Sequence, residues 1–312
     1  MSPTVAVLDL GSNSIKVLVA TRGEAGAVVP LLSKTLDVRI SAGISLARPR
    51  LSDEGMARGL AAVQELLADA AAFSPARTLL VATSAVRDAI NGTEFTRQIR
   101  TATGAEVRIL SGHEEADAIG RGLICDPALS DLGDFHVFDL GGGSLECLSF
   151  RVRSIRQAVS LPLGCVRLTE KFLPSNASAF TGAIRQAVMA HVKTVLDNSG
   201  FSFNQLPVPS VGTGGTVATV RAIYGMRAGL KTEATAAVVT VAQLRELLDQ
   251  LAPMPLEQRR QVPGLPPARA DVFPTALATI LALAEHSGVD FFLHSFHNLR
   301  FGLAAALLEP PS

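Results

Sequence analysis

The chain has few cysteines, no excess of positive charge and no apolar run long enough to cross a membrane. Its three cysteines, Cys125, Cys147 and Cys165, form no Cys-x-x-Cys pair and cannot all pair with one another, which predicts a reducing, cytoplasmic compartment. Lys and Arg number 28 together, as do Asp and Glu, so the formal net charge is zero. Because a general nucleic-acid binder usually carries a basic excess, we expect no nucleic-acid partner.

The composition is that of a packed α/β protein. The most apolar stretch, residues 275–284, is bounded by Glu285 and is far shorter than the roughly 18–20 residues of a membrane-spanning helix. The apolar N-terminus lacks the basic region of a signal peptide. Because neither a membrane-spanning helix nor a signal peptide is predicted, we expect no membrane partner. Charged residues make up 18% and hydrophobic residues 48% of the 312 residues, which excludes a disordered or fibrous chain.

One segment of the sequence occurs twice. Residues 7–18 (VLDLGSNSIKVL) and 137–148 (VFDLGGGSLECL) match without a gap at an offset of 130 residues. Each copy has an apolar strand, an Asp, a Gly-rich polar turn and a second apolar strand, which is typical of a β-hairpin. Two unrelated hairpins with similar turns are the alternative. An offset of one domain length predicts two similarly built domains, each opening with a hairpin.

Strand-like and helical patterns alternate in both halves of the chain. Residues 51–72, for example, have helical spacing after a Ser52 cap. The alternation predicts an α/β protein with mixed sheets, because each half opens with an antiparallel hairpin. We expect an N-terminal domain of residues 1–125 and a C-terminal domain of residues 126–312.

Three Gly-rich loops are candidate phosphate sites. Backbone N–H groups of glycines approach an anion without side chains in the way. The third loop, residues 212–216, is neither a Walker A sequence, since no Lys follows its last glycine, nor a GxGxxG fingerprint. A tight turn without a ligand is the alternative for each loop. The candidate phosphate-binding residues are Gly11, Ser12, Asn13, Ser14 and Lys16; Gly141, Gly142, Gly143 and Ser144; and Gly214, Gly215 and Thr216.

Acidic residues beside two of these loops are candidate ligands of Mg²⁺, which prefers one or two carboxylates together with phosphate oxygens. Asp9 and Asp139 each end the first strand of a hairpin, and Glu146 lies on the same side of its strand as Ser144. The alternative for Glu146 is a solvated strand residue.

Two adjacent acids, Glu114 and Glu115, open a helix that follows Ser111. Both suit the positive end of the helix dipole. Because adjacent helical positions point in different directions, one acid can face a ligand while the other stays structural. A carboxylate near a bound phosphate can activate a water for in-line attack. Arg87, just after a strand, is a candidate to grip phosphate oxygens; an ion pair with Asp88 or another acid is the alternative.

Six motifs in chain order resemble the exopolyphosphatase/guanosine pentaphosphate phosphohydrolase (Ppx/GppA) family of the actin-like, sugar-kinase and heat-shock-ATPase superfamily. The motifs are Asp9-Leu-Gly-Ser-Asn-Ser14 with Lys16, residues 82–89 (ATSAVRDA), 111–116 (SGHEEA), 139–146 (DLGGGSLE), 161–170 (LPLGCVRLTE) and 212–216 (GTGGT). The resemblance ends with residues 298–303 (NLRFGL), which are similar to the family's terminal Leu-Arg-x-Gly-Leu stretch.

The resemblance implies two ribonuclease-H-like domains with an interdomain cleft and Mg²⁺-dependent hydrolysis of a terminal phosphoanhydride. It implies that Glu115 is the catalytic base and that Arg87 contacts phosphate. Asp139, Gly141 to Ser144 and Glu146 match the family's loop that holds metal and phosphate. The implied substrate is inorganic polyphosphate or guanosine pentaphosphate (pppGpp), and a homodimer is compatible with the resemblance.

The sequence departs from the family at three places. His113 stands where Asn or Glu is common, and His294-Ser-Phe-His297 replaces a more acidic segment. We also expect the chain to lack the helical C-terminal region with which longer members hold long polyphosphate. We therefore expect an exopolyphosphatase that favours shorter chains, with pppGpp 5′-phosphohydrolase activity as the alternative. Two other classes stay open: an ATP-dependent phosphotransferase, for which residues 212–216 are the candidate adenosine site, and a non-catalytic polyphosphate or alarmone sensor.

Overall fold

The chain folds into two compact units, and each contains one mixed β-sheet. The computed structural model describes four stretches of the chain, residues 3–41, 43–173, 179–203 and 208–309. Unit 1 comprises Met1–Asp131 and His297–Ser312, and unit 2 comprises Leu132–Phe296. The α/β class with mixed sheets predicted from the sequence is confirmed.

Unit 1 is built on a five-stranded sheet with the strand order β3-β2-β1-β4-β5. Its elements are β1 (Thr4–Leu10), β2 (Ser14–Arg22), β3 (Val28–Asp37), α1 (Asp53–Ala71), β4 (Arg77–Ala82), α2 (Ser84–Asp88), α3 (Gly92–Thr103), β5 (Val107–Ile109), α4 (Gly112–Ile124) and α11 (Leu299–Leu308). β1 and β2 form the predicted hairpin, and β4 lies parallel to β1. The Ser52 cap of α1 is confirmed, since its hydroxyl oxygen accepts the N–H of Gly55 at 3.0 Å.

Unit 2 is built on a six-stranded sheet with the strand order β10-β11-β9-β6-β7-β8. Its elements are β6 (Phe135–Leu140), β7 (Leu145–Arg151), β8 (Ser154–Leu161), α5 (Cys165–Phe172), α6 (Gly182–Asp197), β9 (Ser210–Thr213), α7 (Gly215–Arg227), β10 (Val238–Thr240), α8 (Val241–Leu251), α9 (Leu256–Arg259), α10 (Phe273–Ser287) and β11 (Phe291–His294). β6 and β7 form the second predicted hairpin, and β9 lies parallel to β6. The most apolar stretch of the sequence is the buried part of α10.

In the part of the chain that the structure describes, no helix is long and apolar enough to cross a membrane.

The units differ from the expected domains in the position of the last helix. We expected α11 in the C-terminal domain, whereas it belongs to unit 1, and unit 1 extends to Asp131 rather than to residue 125. The Nη1 of Arg300 donates to the carbonyl of Val17 in β2 at 3.0 Å. The apolar side of α11 joins a buried cluster with the first hairpin and β3, made of Val5, Val7, Leu18, Ala20, Val28, Phe301, Ala304 and Leu308. Burial of this face holds the helix on unit 1.

Two glycines let α4 and α11 approach each other closely. A Cβ placed on Gly302 would lie 1.9 Å from the carbonyl oxygen of Ala118, and a Cβ placed on Gly122 would lie 2.1 Å from the carbonyl oxygen of Asn298. Both obstacles are backbone atoms, so a side chain would force the helices apart. This contact fixes the helix that carries Glu115.

Gly302→Ala is therefore expected to destabilise the protein. Overpacking of a close backbone contact costs about 2 kcal/mol or more, which corresponds to a loss of roughly 4 °C or more in Tm, measured by circular dichroism. Gly182→Ala is the matched control, because a Cβ placed on Gly182, in the first turn of α6, would have no atom within 4 Å. An unchanged Tm for Gly302→Ala would contradict the close contact.

Candidate active site

The turn of the first hairpin is closed by a hydrogen bond from the N–H of Gly11 to the carbonyl of Ser14 at 3.1 Å. Ser12 at the tip is 4% exposed, and its hydroxyl oxygen lies 3.1 Å from that of Ser84. Ser84 begins α2. The contact therefore joins the turn to the helix that carries Arg87.

The side chain of Asn13 braces the same turn against the end of β3. Its Nδ2 donates to Asp37 Oδ1 at 3.3 Å, and its Oδ1 accepts the Nε–H of Arg39 at 3.1 Å. Its backbone carbonyl accepts the N–H groups of Val38 and Arg39. Both polar atoms of the Asn13 side chain are thus engaged within unit 1, which leaves its backbone N–H as the group suited to a phosphate.

Asp9 and Lys16 lie directly opposite each other in the register of β1 and β2, so their side chains share a face of the sheet. The Oδ1 of Asp9 is buried and has no hydrogen-bond partner in the described part of the chain. Because an unpartnered buried oxygen costs free energy, a donor or cation at this position would stabilise the turn.

Glu115 and Arg87 form a short ion pair in unit 1. The Nη1 of Arg87 lies 2.7 Å from Glu115 Oε2, and the carboxylate side chain is 9% exposed. The same nitrogen donates to the carbonyl of Leu110 at 3.1 Å, while Arg87 Nε lies 3.5 Å from Asp88. The guanidinium favours the ionised carboxylate, which is the form that a general base needs.

Glu114, the neighbouring acid, has a different role. Its carboxylate accepts the backbone N–H of Ser111 at 2.8 Å, and its own N–H donates to the Ser111 hydroxyl at 3.2 Å, which completes a capping box at the start of α4. The backbone hydrogen bond from Ser111 and the guanidinium of Arg108 lower the pKa of Glu114 to about 2. As expected from their helical positions, one acid caps the helix and the other is buried against Arg87.

The turn of the second hairpin repeats the closing hydrogen bond of the first. The N–H of Gly141 donates to the carbonyl of Ser144 at 3.0 Å. The three glycine carbonyls accept hydrogen bonds from the beginning of α5. The donors are Cys165 N to Gly141 O at 3.0 Å, Val166 N and Arg167 N to Gly142 O at 2.9 and 3.2 Å, and Arg167 Nε to Gly143 O at 2.8 Å.

This arrangement turns three consecutive amides away from α5. The N–H and C=O of one trans peptide point in opposite directions. Since the carbonyls of Gly141, Gly142 and Gly143 point at α5, the N–H groups of Gly142, Gly143 and Ser144 point to the other side. None of these three N–H groups has a hydrogen-bond partner among the described residues. A row of unpartnered N–H groups is an arrangement that binds anions.

Two carboxylates and the third Gly-rich loop lie beside this turn. Asp139 and Glu146 are directly opposite in the register of β6 and β7. Glu146 is 2% exposed, and its Oε1 accepts the hydroxyl of Ser160 at 2.7 Å. A Cβ placed on Gly214 would lie 2.1 Å from Asp139 Oδ1. Unit 2 therefore brings together the Gly141–Ser144 turn, both acids and the loop with Gly214.

Thr216 and Arg269 complete this cluster. The hydroxyl of Thr216 is buried without a hydrogen-bond partner in the described chain. The guanidinium of Arg269 lies against Gly215, where a Cβ would be 1.8 Å from Nη1, and it forms no hydrogen bond or ion pair with a described side chain. Sequence reasoning did not single out Arg269, since only the path of the chain between α8 and α10 brings it to the loop.

Each of the two units contains a mixed sheet flanked by helices and opens with the same Asp-bearing hairpin. The model of the Ppx/GppA phosphatase family matches residues 18–304. The chain therefore belongs to the Ppx/GppA family, whose exopolyphosphatase-like enzymes are phosphoanhydride hydrolases.

Several solved structures are similar over nearly the whole chain. An exopolyphosphatase-like protein is 25% identical with a TM-score of 0.87, covering 98% of both chains. An exopolyphosphatase from Cytophaga hutchinsonii is 20% identical with a TM-score of 0.85, covering 98% of this chain and 97% of that one. The Aquifex aeolicus PPX-GPPA enzyme is 24% identical with a TM-score of 0.78, covering 98% of this chain and all of that one. These matches show that the fold is shared.

The depressed pKa of Glu114 predicts a defined pH dependence of stability. A carboxyl whose pKa falls from 4.5 to about 2 on folding contributes stability above pH 4.5, and this contribution is lost as the pH falls towards 2. Glu114→Gln is therefore expected to lower Tm at pH 7 and to have little effect near pH 2. The measurement is Tm against pH for both proteins. Glu106→Gln, at another exposed acid, is the control, and a pH-independent difference for Glu114→Gln would contradict the cap.

Proposed function

We propose that the protein hydrolyses the terminal phosphoanhydride of inorganic polyphosphate and favours shorter chains. The observation that carries this proposal is the row of unpartnered N–H groups on Gly142, Gly143 and Ser144 beside the carboxylates of Asp139 and Glu146. Such a row suits a terminal phosphate, whose negative oxygens would replace the missing hydrogen-bond acceptors. Membership of the Ppx/GppA family supports the same reaction.

In the proposed reaction, Glu115 acts as the general base. It takes a proton from the water whose oxygen attacks the terminal phosphorus, and the bond from that phosphorus to the bridging oxygen breaks. The products are orthophosphate and a chain shortened by one phosphate. Arg87, which holds Glu115 at 2.7 Å, is proposed to contact phosphate oxygens as well. With Lys16 and the N–H groups of the first turn, which belong to the same unit, it would stabilise the charge of a loose transition state.

The first turn is assigned a supporting part in the same proposal. Gly11 closes this turn through its own N–H, and Ser12, Asn13 and Ser14 would offer main-chain N–H groups to phosphate. In unit 2, Gly141 closes the second turn, and Gly214, Gly215 and the buried hydroxyl of Thr216 extend the surface formed by that turn. Arg269, beside Gly215, adds a cation to that surface.

Asp139 and Glu146 are the residues proposed to hold Mg²⁺. Opposed carboxylates, one of them almost fully buried, repel each other, and a divalent cation would offset that repulsion. Mg²⁺ takes one or two carboxylates together with phosphate oxygens and water. In unit 1, Asp9, whose Oδ1 is unpartnered among the described residues, is also proposed as a metal ligand. When bound, Mg²⁺ neutralises charge on the phosphoryl oxygens.

The alternative substrate is pppGpp, whose 5′-terminal phosphoanhydride has the same chemistry and which the family also hydrolyses. Initial rates of orthophosphate release on long polyphosphate, tripolyphosphate and pppGpp, with and without Mg²⁺, separate the two. A faster rate on tripolyphosphate supports the first proposal, and a faster rate on pppGpp supports the alternative. Phosphate transfer from ATP to an acceptor, or binding with no turnover, would instead favour a phosphotransferase or a sensor.

A cytoplasmic location and a homodimer belong to the same proposal. None of the three cysteines, Cys125, Cys147 and Cys165, forms a disulfide within the described chain, and a reducing compartment keeps thiols in that state. Sedimentation equilibrium tests the homodimer.

Glu115→Gln is expected to lower turnover about 10²–10⁴-fold, because it removes the proton acceptor, while leaving substrate binding within a few-fold. The measurement is the rate of orthophosphate release together with calorimetric binding of tripolyphosphate. Glu114→Gln is the matched control, since it changes the adjacent acid of the same helix, and its turnover is expected to stay near that of the wild type. Equal activity of Glu115→Gln and the control would refute the assignment of the base.

Asp139→Asn and Glu146→Gln are each expected to weaken Mg²⁺ binding about tenfold or more, since each removes one of two carboxylates. Titration with Mn²⁺, followed by electron paramagnetic resonance without substrate, measures this directly. Asp134→Asn, at the other end of β6, is the control. Unaltered Mn²⁺ affinity in both variants would exclude this pair as the metal site without bearing on Glu115.

A further inference from the structure

A cavity of about 560 Å³ lies in unit 2 at the end of the β6–β7 hairpin that is remote from the Gly141–Ser144 turn. His136, in the cavity wall, precedes Gly141 by five residues, and at about 3.3 Å per residue of strand the two are roughly 16 Å apart. The cavity is lined by Asp134, His136, Ser149, Phe150, Arg151, Arg156, Gln157 and Val208. It is therefore separate from the candidate active site.

The register of three strands explains why polar side chains gather there. His136 is opposite Ser149, and Ser149 is opposite Gln157, so these three residues share one face of the sheet. An irregularity beside Ser149 leaves Arg156 as an additional residue of β8, because the next pair joins Phe150 to Ile155. Such a bulge redirects side chains. Arg156 and its neighbour Gln157 consequently line the same cavity.

The tip of the β7–β8 hairpin is fixed in an unusual conformation. Val152 and Arg153 have φ angles of 51° and 55°, as in a two-residue type I′ turn, and a β-branched residue rarely adopts such an angle. The N–H of Val152 donates to Asp134 Oδ1 at 2.8 Å, and the N–H of Arg153 donates to the carbonyl of Gly133 at 2.8 Å. Asp134 thus holds the turn that positions Arg151.

Arg151 and Arg156 have no acidic partner. Neither side chain forms a hydrogen bond or an ion pair with any residue that the structure describes. Other exposed arginines of unit 2 are neutralised by the protein's own acids, in the pairs Arg185–Asp249, Arg227–Glu246, Arg245–Glu285 and Arg260–Glu257. The cavity wall also contains one acid, Asp134, whose Oδ1 accepts the N–H of Val152, so the two arginines leave the cavity with an excess of positive charge.

The remaining polar groups of the cavity are mostly donors. The Oε1 of Gln157 accepts the N–H of Ser202 at 3.0 Å, which leaves the amide NH₂ of Gln157 to donate. Burial lowers the pKa of His136, so its ring is neutral at pH 7 and carries one N–H. Two guanidinium groups with further donors match phosphate oxygens.

We propose that this cavity is a second anion-binding site, which takes a small molecule carrying two or more phosphate groups on Arg151 and Arg156. Its volume lies within the range of ordinary small-molecule sites, and a ligand of this class would supply the acceptors that both arginines lack. A short inorganic oligophosphate and a nucleoside diphosphate share this chemistry. The site is independent of the reaction assigned to Glu115.

The test is calorimetric titration of the full-length Glu115→Gln protein with tripolyphosphate and, separately, with GDP. Adding Arg151→Gln and Arg156→Gln to this protein is expected to abolish one binding event or to weaken its Kd about tenfold to a hundredfold. Loss with tripolyphosphate alone identifies an inorganic ligand, and loss with GDP alone identifies a nucleotide. Loss with both identifies a site for the shared phosphate groups.

The control is Arg97→Gln with Arg100→Gln, which removes the same charge from the exposed face of α3 in unit 1. Ser149→Asp is a second variant, which leaves both arginines in place and adds a negative charge to the cavity; it is expected to cause the same loss. Binding unchanged in both cavity variants, or an equal loss in the control, overturns the proposal. Orthophosphate release by the double arginine variant with Glu115 intact is measured in parallel, so failure of the proposed hydrolysis is recognised separately.

Discussion

The orientation of three peptide planes in one turn determines which main-chain groups unit 2 presents beside Asp139 and Glu146. A trans peptide cannot point its C=O and its N–H to the same side. The beginning of α5 draws the carbonyls of Gly141, Gly142 and Gly143 towards itself, and this obliges the following amides to face outwards. No charged side chain is needed for that effect. Arg167 strengthens this orientation of the turn, because its Nε donates a hydrogen bond to the carbonyl of Gly143.

The two hairpins share one sequence motif but differ in the charge of the residue that faces the Asp. Both close with the same hydrogen bond between the first glycine and the Ser three residues later. In the first, Asp9 faces Lys16, whereas in the second, Asp139 faces Glu146. The first pair joins an acid to a base, whereas the second joins two acids. In the proposed function, this difference makes the second pair the stronger candidate to hold a cation, although the sequences of the turns are nearly the same.

Much of this arrangement could be predicted from the sequence, because it depends on local rules. The duplicated hairpins, the Ser52 cap of α1 and the different orientations of Glu114 and Glu115 follow from turn chemistry and helical geometry. The position of α11 and the contact of Arg269 with Gly215 could not be predicted. The position of α11 depends on where the chain returns after more than one hundred intervening residues, and that of Arg269 on where it returns after about fifty. Neither the apolar pattern of a helix nor a single arginine in the sequence indicates that position.

Because positive and negative charges balance along the chain, the surroundings of each arginine decide whether it can attract an anion. With a formal net charge of zero, the protein cannot attract anions by its overall field. In the proposed function, affinity for phosphate would come from local groups, which are main-chain N–H donors and cations that the fold keeps away from its own acids. Several exposed arginines, such as Arg97 and Arg227, form ion pairs with neighbouring carboxylates, and such surface pairs contribute little to stability. The side chain of Arg269, beside Gly215, has no acidic partner in the described chain, so its charge stays available to a ligand. As a sign of an anion-binding site, an arginine without an internal partner is therefore more informative than the total number of cations.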